Sequence, residues 1–283
     1  MGRGAPGTEP EATDDGVVLP RTVGLDAYAP RQIAERVESA GVGKARLSAL
    51  QTLTLAVLAG AFIAFGAMYY TLAVTDHGLG FGPARVLGGL TFSLGLILVV
   101  IAGAELFTGS TLIVMAWVDR RVTTGELARN WTLVYLGNLV GAAGAAVLVT
   151  LAEGLALGDG RLLATAADIA RAKVGLEWPT AFVRGLLCNA LVCLAVWLTF
   201  AARDVGGKIL AILFPISAFV ALGFEHSVAN MYLIPVAMLH GVEGVTMWGF
   251  IGNLIPVTIG NMVGGGLFVG GVYWLCYCYV PGR

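Results

Sequence analysis

Gly223-Phe-Glu-His-Ser-Val-Ala-Asn230 interrupts an otherwise uncharged stretch that runs from 209 to 242. Gly103-Ala-Glu-Leu-Phe-Thr-Gly-Ser110 does the same to 86–118, with Glu105 in the place of Glu225. A helix needs about 20 apolar residues to cross a bilayer. Neither stretch has room for two crossings, so each reads as one crossing with a polar break. Outside them, 47–75, 130–152, 185–202 and part of 244–282 are charge-free and long enough to cross whole. The expectation is an all-α polytopic membrane protein with six spans: about 49–74, 86–118 (broken), 128–152, 180–202, 208–239 (broken) and 251–279.

Composition agrees. The 283 residues include 17 Lys+Arg and 18 Asp+Glu, 12 % charged, and 57 % are apolar. A soluble domain carries about 25 % charge. A disordered chain, a secreted disulfide scaffold and an ordinary soluble enzyme are excluded. Arg36, Lys44, Arg46, Arg120, Arg121, Arg129, Arg203, Lys208 and Arg283 fall on one side of the six-span arrangement, against Arg85, Arg161, Arg171, Lys173 and Arg184 on the other. The positive-inside rule then sets both termini in the cytoplasm of a multi-pass inner-membrane protein. Residues 1–25 read as a mobile cytoplasmic tail with no signal-peptide core. Residues 26–46 read as a cytoplasmic helix with Pro30 in its first turn, either a gate or an interfacial helix at an oligomer rim. The transport domain is expected over 47–280.

The two broken spans each stand second in a set of three, which suggests repeats at about 47–152 and 178–280. Leu136-Gly-Asn-Leu-Val-Gly141 resembles Ile259-Gly-Asn-Met-Val-Gly264 at an offset of 123, and Glu105 and Glu225 are 120 apart. An odd number of spans per half inserts the halves with opposite orientation. Inverted repeats with broken helices are a transport architecture. Unwound backbone is tolerated only where it lines a polar cavity or is buried in protein, so the breaks are expected to meet near mid-membrane and flank one pathway.

An ionisable group inside a membrane is a functional candidate. Glu105 and Glu225 are proton carriers or, on the structural alternative, carboxylates accepting N–H groups at the starts of half-helices. His226 has no counterpart at the first break, where Leu106 stands, and imidazole can donate to an anion or protonate one. Thr108 and Asn189 are either pathway groups or helix–helix hydrogen bonders. His77 and His240 read as surface residues. Cys188, Cys193, Cys276 and Cys278 read as small buried hydrophobes with no zinc or disulfide spacing. No metal cluster, nucleophile motif, cofactor fingerprint or nucleic-acid-binding feature is present in the sequence, which argues against an enzyme.

At these breaks the sequence resembles the formate/nitrite transporter family, and within it the formate channels. The resemblance runs from about Ala40 to Tyr277. Its most specific strings are Phe92-Ser-Leu-Gly-Leu-Ile-Leu98, Ala104-Glu-Leu-Phe-Thr108, Asn130-Trp, Gly137-Asn-Leu-Val-Gly141, Leu191-Val-Cys-Leu-Ala-Val-Trp197, Gly223-Phe-Glu-His-Ser-Val-Ala-Asn-Met231 and Asn253-Leu-Ile-Pro-Val-Thr-Ile-Gly-Asn261. The resemblance implies a homopentamer in the lipid bilayer with an aquaporin-like protomer and one pore in each. It implies a cytoplasmic constriction of Phe92, Leu96 and Phe219, an outer one of Leu106, Phe107 and Val192, and a chamber between them with His226, Thr108 and Asn189. It places Lys44 at the cytoplasmic mouth and Lys173, beside Glu225, in the outer vestibule. Glu105 stands where formate channels have Asp, Gly109 stands where they have Ser, and 154–172 shows little similarity. The substrate implied is a small monovalent weak-acid anion, formate foremost, moving with protons and without a cofactor. Nitrite, acetate and hydrosulfide are the alternatives of the same class, and a neutral solute such as water is the alternative of another.

Overall fold

The computed structural model describes residues 26–279. The expected tail at 1–25 lies outside the described residues, as does Arg283. Ten helices follow one another: α1 Pro30–Ala45, α2 Ala49–Ala73, α3 Phe81–Gly103, α4 Phe107–Val118, α5 Thr124–Leu151, α6 Arg161–Val174, α7 Trp178–Ala201, α8 Val205–Ala221, α9 Ser227–Leu239 and α10 Met247–Tyr277. The broken spans are α3/α4 and α8/α9, so the six expected spans are present. Five helices (α2, α3, α5, α7 and α10) are each long and apolar enough to cross a bilayer. The second span therefore differs from expectation. At 23 residues α3 is long and apolar enough to cross without α4, with the break at its C-terminal end.

Local chemistry sets the helix starts. Ser48 accepts from Gln51 N, and Gln51 returns a bond to Ser48 N, closing a capping box ahead of α2. Thr123 and Glu126 do the same for α5. Asp204 and Thr246 cap α8 and α10 singly. Both broken helices end on a glycine of positive φ, Gly103 at +81° and Gly223 at +73°. That conformation costs an L-residue its Cβ clearance and suits glycine.

Packing follows the repeat. α2 lies on α5 and α7 on α10, while α3 packs on α8 between them. Glycine allows these approaches. A Cβ on Gly141 would run into the Val57 carbonyl, one on Gly264 into the Leu186 carbonyl, and one on Gly89 into the Ser217 carbonyl. Without a hydrophobic drive between helices in lipid, close van der Waals approach is the main source of association.

The two halves also match in a pair of ionic contacts. α6, inside a segment read as an outer loop, is a helix whose Lys173 meets Glu225 as Lys44 of α1 meets Glu105. α1 and α6 thus make matching lysine–glutamate contacts, each to the break of one half. The Tyr135 hydroxyl lies 3.0 Å from Thr258 Oγ1, a pair 123 residues apart that stands across the pseudo-twofold axis. Cys188 and Cys193 are buried as expected, whereas Cys276 is exposed and Cys278 half-buried.

Candidate functional site

The first turns of α4 and α9 begin in the protein interior, where their free N–H groups need acceptors. These come from the asparagines of the repeated Gly-Asn motif. Asn138 Oδ1 accepts from Phe107 N at 2.8 Å, and Asn261 Oδ1 accepts from Ser227 N at 2.9 Å. Each amide nitrogen donates to two further carbonyls: Asn138 to Ala56 and Glu105, Asn261 to Gly185 and Glu225. One side chain in each repeat thus ties a half-helix, its break and a neighbouring span together. The caps are not the glutamates, as the structural alternative held.

Glu105 and Glu225 instead face lysines. Lys44 Nζ donates to Glu105 Oε1 at 2.7 Å, and Lys173 Nζ donates to both Glu225 oxygens, at 2.9 and 3.1 Å. Ser110 Oγ adds a long bond to Glu105, and Asn230 Nδ2 a short one of 2.7 Å to Glu225. Asn130 and Asn253 hold the backbone carbonyls of the two lysines. Desolvated charge is tolerated when paired and hydrogen-bonded in this way. The Lys173 side chain is 14 % exposed and Lys44 35 %, so the second pair is the drier.

Two cavities lead inward. One, of about 190 Å³, is lined by Lys173, Arg85, Arg184, Glu225, Phe219 and His226 among others. The other, of about 390 Å³, is lined by Lys44, Lys208, Glu105, Leu96, Leu106 and Phe200 among others. Each break thus lines its own cavity, Gly103–Leu106 the Lys44 one and Gly223–His226 the Lys173 one. The two breaks meet, as expected, at one polar contact: Thr108 Oγ1 and His226 Nε2 are 3.0 Å apart and both residues are buried.

The aromatic rings also regroup. Phe92 and Phe219 pack edge to face at 5.6 Å and line the Lys173 cavity, not the Lys44 end where the resemblance put them. Leu96 and Leu106 share the Lys44 cavity. α3 explains this, because Phe92 lies one turn nearer the Lys173 end of that helix than Leu96 does. Phe107 meets Tyr135 edge to face at 4.9 Å, and Phe107 and Val192 are both buried and line neither cavity.

His226 is fixed on both ring nitrogens. Nδ1 accepts from Ala229 N at 3.1 Å, capping α9, and the ring stacks on Phe219. A neutral ring that accepts at Nδ1 carries its proton on Nε2 and donates it toward Thr108. Asn189 does not line either cavity. Its amide nitrogen donates to the Thr108 and Asn261 carbonyls and to Thr111 Oγ1, so it anchors Thr108 from behind. His77 is exposed, and His240 is half-buried with its ring against the Val236 carbonyl.

Sequence reading missed three groups at this site. Arg85 donates to the Ala221 and Val220 carbonyls at the end of α8, while Arg184 and Lys208 line the two cavities. Each had been counted only as a loop charge.

Comparison with known proteins bears directly on this geometry. A family model for formate/nitrite transporters matches residues 31–275. The formate channel FocA of Escherichia coli K12 is 41 % identical over 272 residues, covering 89 % of this chain and 95 % of that one. A solved structure described as a pentameric formate channel with formate bound superposes with a TM-score of 0.76 at 41 % identity, over 82 % of this chain and 98 % of that one. An aquaglyceroporin of Plasmodium falciparum shares the fold alone, with a TM-score of 0.51 at 12 % identity over 81 % of this chain and 100 % of that one.

Proposed function

The chain belongs to the formate/nitrite transporter family, and from that premise we propose that it carries small monovalent weak-acid anions, formate foremost, through one pore in each protomer. What supports this reading is the chemistry of the two cavities. Two cavities each carry lysine and apolar side chains, Phe92 and Phe219 in one and Leu96 and Leu106 in the other, and the buried His226–Thr108 contact adjoins the first. An ion crossing such rings meets a large desolvation penalty, whereas the conjugate acid does not. Anions gather at Lys44 and Lys173, take a proton in the vestibule, and pass Phe92 and Phe219, Leu96 and Leu106, Phe107 and Val192 as the neutral acid. This is transport and not catalysis. The Lys44 mouth and both termini face the cytoplasm, the membrane is the inner membrane, and the protomers form a pentamer as in the related formate channel.

His226 donates from Nε2 toward Thr108. To take up a second proton at Nδ1 it must release the Ala229 N–H, so protonation loosens the first turn of α9. Asn189 supports Thr108, and Glu225 and Glu105 hold the lysines in place. The test is a proteoliposome panel of formate, nitrite, acetate, hydrosulfide and water at two pH values. Formate flux that rises as pH falls is expected. Water permeation indifferent to pH, with no anion flux, overturns the proposal in favour of a neutral-solute channel. His226→Phe is expected to abolish proton-coupled uptake. His226→Asn retains an acceptor for Ala229 N and is expected to keep the fold while flattening the pH dependence; an unchanged pH profile removes His226 from proton coupling.

A further inference from the structure

Four charged groups line the Lys173 cavity beside the imidazole: Lys173, Glu225, Arg85 and Arg184. Three are committed to protein partners. Lys173 gives its ammonium to both oxygens of Glu225. Arg85 gives Nε and Nη2 to the Ala221 and Val220 carbonyls at 2.8 and 3.0 Å. Arg184 alone makes no ion pair and no side-chain hydrogen bond among the described residues. Its place is nevertheless fixed, because its backbone carbonyl accepts from Glu225 N at 3.2 Å, at the second break.

We propose that Arg184 captures the anion at this mouth and makes the mouth selective for planar carboxylates. The inference rests on the anion-transport reading above. A guanidinium presents a rigid planar fork that pairs with both oxygens of a carboxylate, while an ammonium acts as a point charge. The lysine in the same cavity is already saturated by a carboxylate of the protein. It sets the field but offers less to a ligand. The other mouth makes the contrast. Its cation without an ion pair among the described residues is Lys208, which has no fork. Discrimination between formate and an anion with its charge on one atom therefore belongs to the Arg184 end.

The experiment measures initial rates for formate and hydrosulfide in proteoliposomes of wild type, Arg184→Lys and Arg184→Leu, at about 10 mM and about 150 mM salt, over which the screening length falls from about 30 to about 8 Å. Arg184 is exposed, so both variants retain the fold, and an unchanged thermal unfolding midpoint verifies it. Arg184→Lys is expected to preserve the hydrosulfide rate and lower the formate-to-hydrosulfide ratio by roughly threefold or more, the fork being lost and the charge kept. Arg184→Leu is expected to lower both rates at low salt and to weaken their salt dependence. A formate-to-hydrosulfide ratio unchanged in Arg184→Lys, with wild type carrying formate, overturns this inference alone. Wild type that carries hydrosulfide and no formate overturns the formate reading and this inference together, and is recognised without any variant.

Discussion

Replacing Asn261 by alanine removes three buried hydrogen bonds at once: from Ser227 N at 2.9 Å, to the Gly185 carbonyl at 2.7 Å and to the Glu225 carbonyl at 3.0 Å. A stranded buried N–H costs about 1–3 kcal/mol, and each carbonyl that loses a donor adds up to about 1 kcal/mol. The expected loss is about 3 kcal/mol. Asn261→Asp separates capping from bridging. An aspartate keeps, and by its charge strengthens, the acceptor for Ser227 N. It also sets carboxylate oxygen against two carbonyl oxygens at hydrogen-bonding distance, with no donor left to satisfy either. If the asparagine serves as a three-way bridge, aspartate is at least as damaging as alanine. If it serves only as a cap, aspartate equals wild type. The assay is the thermal unfolding midpoint of detergent-purified protein followed by tryptophan fluorescence, with formate flux alongside. An Asn261→Asp midpoint indistinguishable from wild type refutes the bridge. Asn138 makes the matching three bonds, so its two variants are expected to rank in the same order.

Three further outcomes follow from the same geometry. Gly223→Ala forces a Cβ onto a residue at φ +73° and to 3.0 Å from Arg85 Nη2, and is expected to lower stability by about 1–2 kcal/mol, read as a drop in the same midpoint. Lys173→Met alone leaves Glu225 buried without its cation and is expected to cost about 3 kcal/mol, while Lys173→Met with Glu225→Gln recovers most of it; a double variant no more stable than the single removes the ion pair as the cause. Glu38 on α1 is buried and its pKa is raised by desolvation, against the lowering pull of Arg121 at 3.0 Å and with a further raising contribution from Asp119. A raised folded-state pKa contributes stability that is present below the ordinary carboxylate range and lost as pH rises through the raised value. Protection factors of the α1 backbone amides, taken relative to the base-catalysed intrinsic rate, are therefore expected to be lower at neutral pH than at mildly acidic pH, and Glu38→Gln to remove the difference.

The breaks were legible because a lone glutamate in an apolar run is expensive and must have a reason. The caps were not, although Asn138 and Asn261 stood in the matched strings. An asparagine in a span looks the same whether it bonds across a helix pair or to the end of a half-helix, and only the position of that end decides. α6 was read as loop because five of its residues, Arg161, Asp168, Arg171, Lys173 and Thr165, are charged or polar. Its small apolar stripe of Leu162, Ala166, Ala167 and Ala170 is what buries it. The sides of the constrictions were misread for a related reason. Phe92 and Leu96 are one turn apart on α3, and sequence does not say at which depth the opposite wall changes from one cavity to the other. Arg184 carried no signal, because its role depends on what the other cations near it have been given.

The lysine–glutamate pairs and the half-helices together solve a problem of depth. An anion must be attracted into the vestibule and must also leave it, so a site has to bind weakly enough to release. A bare lysine at 14 % exposure would hold an anion too firmly, since little water competes for it. Glu225 offsets that charge at 2.9 and 3.1 Å and leaves a shallow positive field. Deeper in, the N-termini of α4 and α9 bring the positive ends of their dipoles to the centre without placing a full charge there. On this account Glu225→Gln deepens the vestibule well. It is expected to lower the formate concentration giving half-maximal flux and to lower the maximal flux as well, by roughly threefold or more if about 0.7 kcal/mol of the unpaired ammonium's attraction survives solvent screening. Flux curves in proteoliposomes at fixed pH separate the two parameters. A rise in maximal flux shows that attraction, not release, limits transport at this mouth, and refutes the balance argued for the pair.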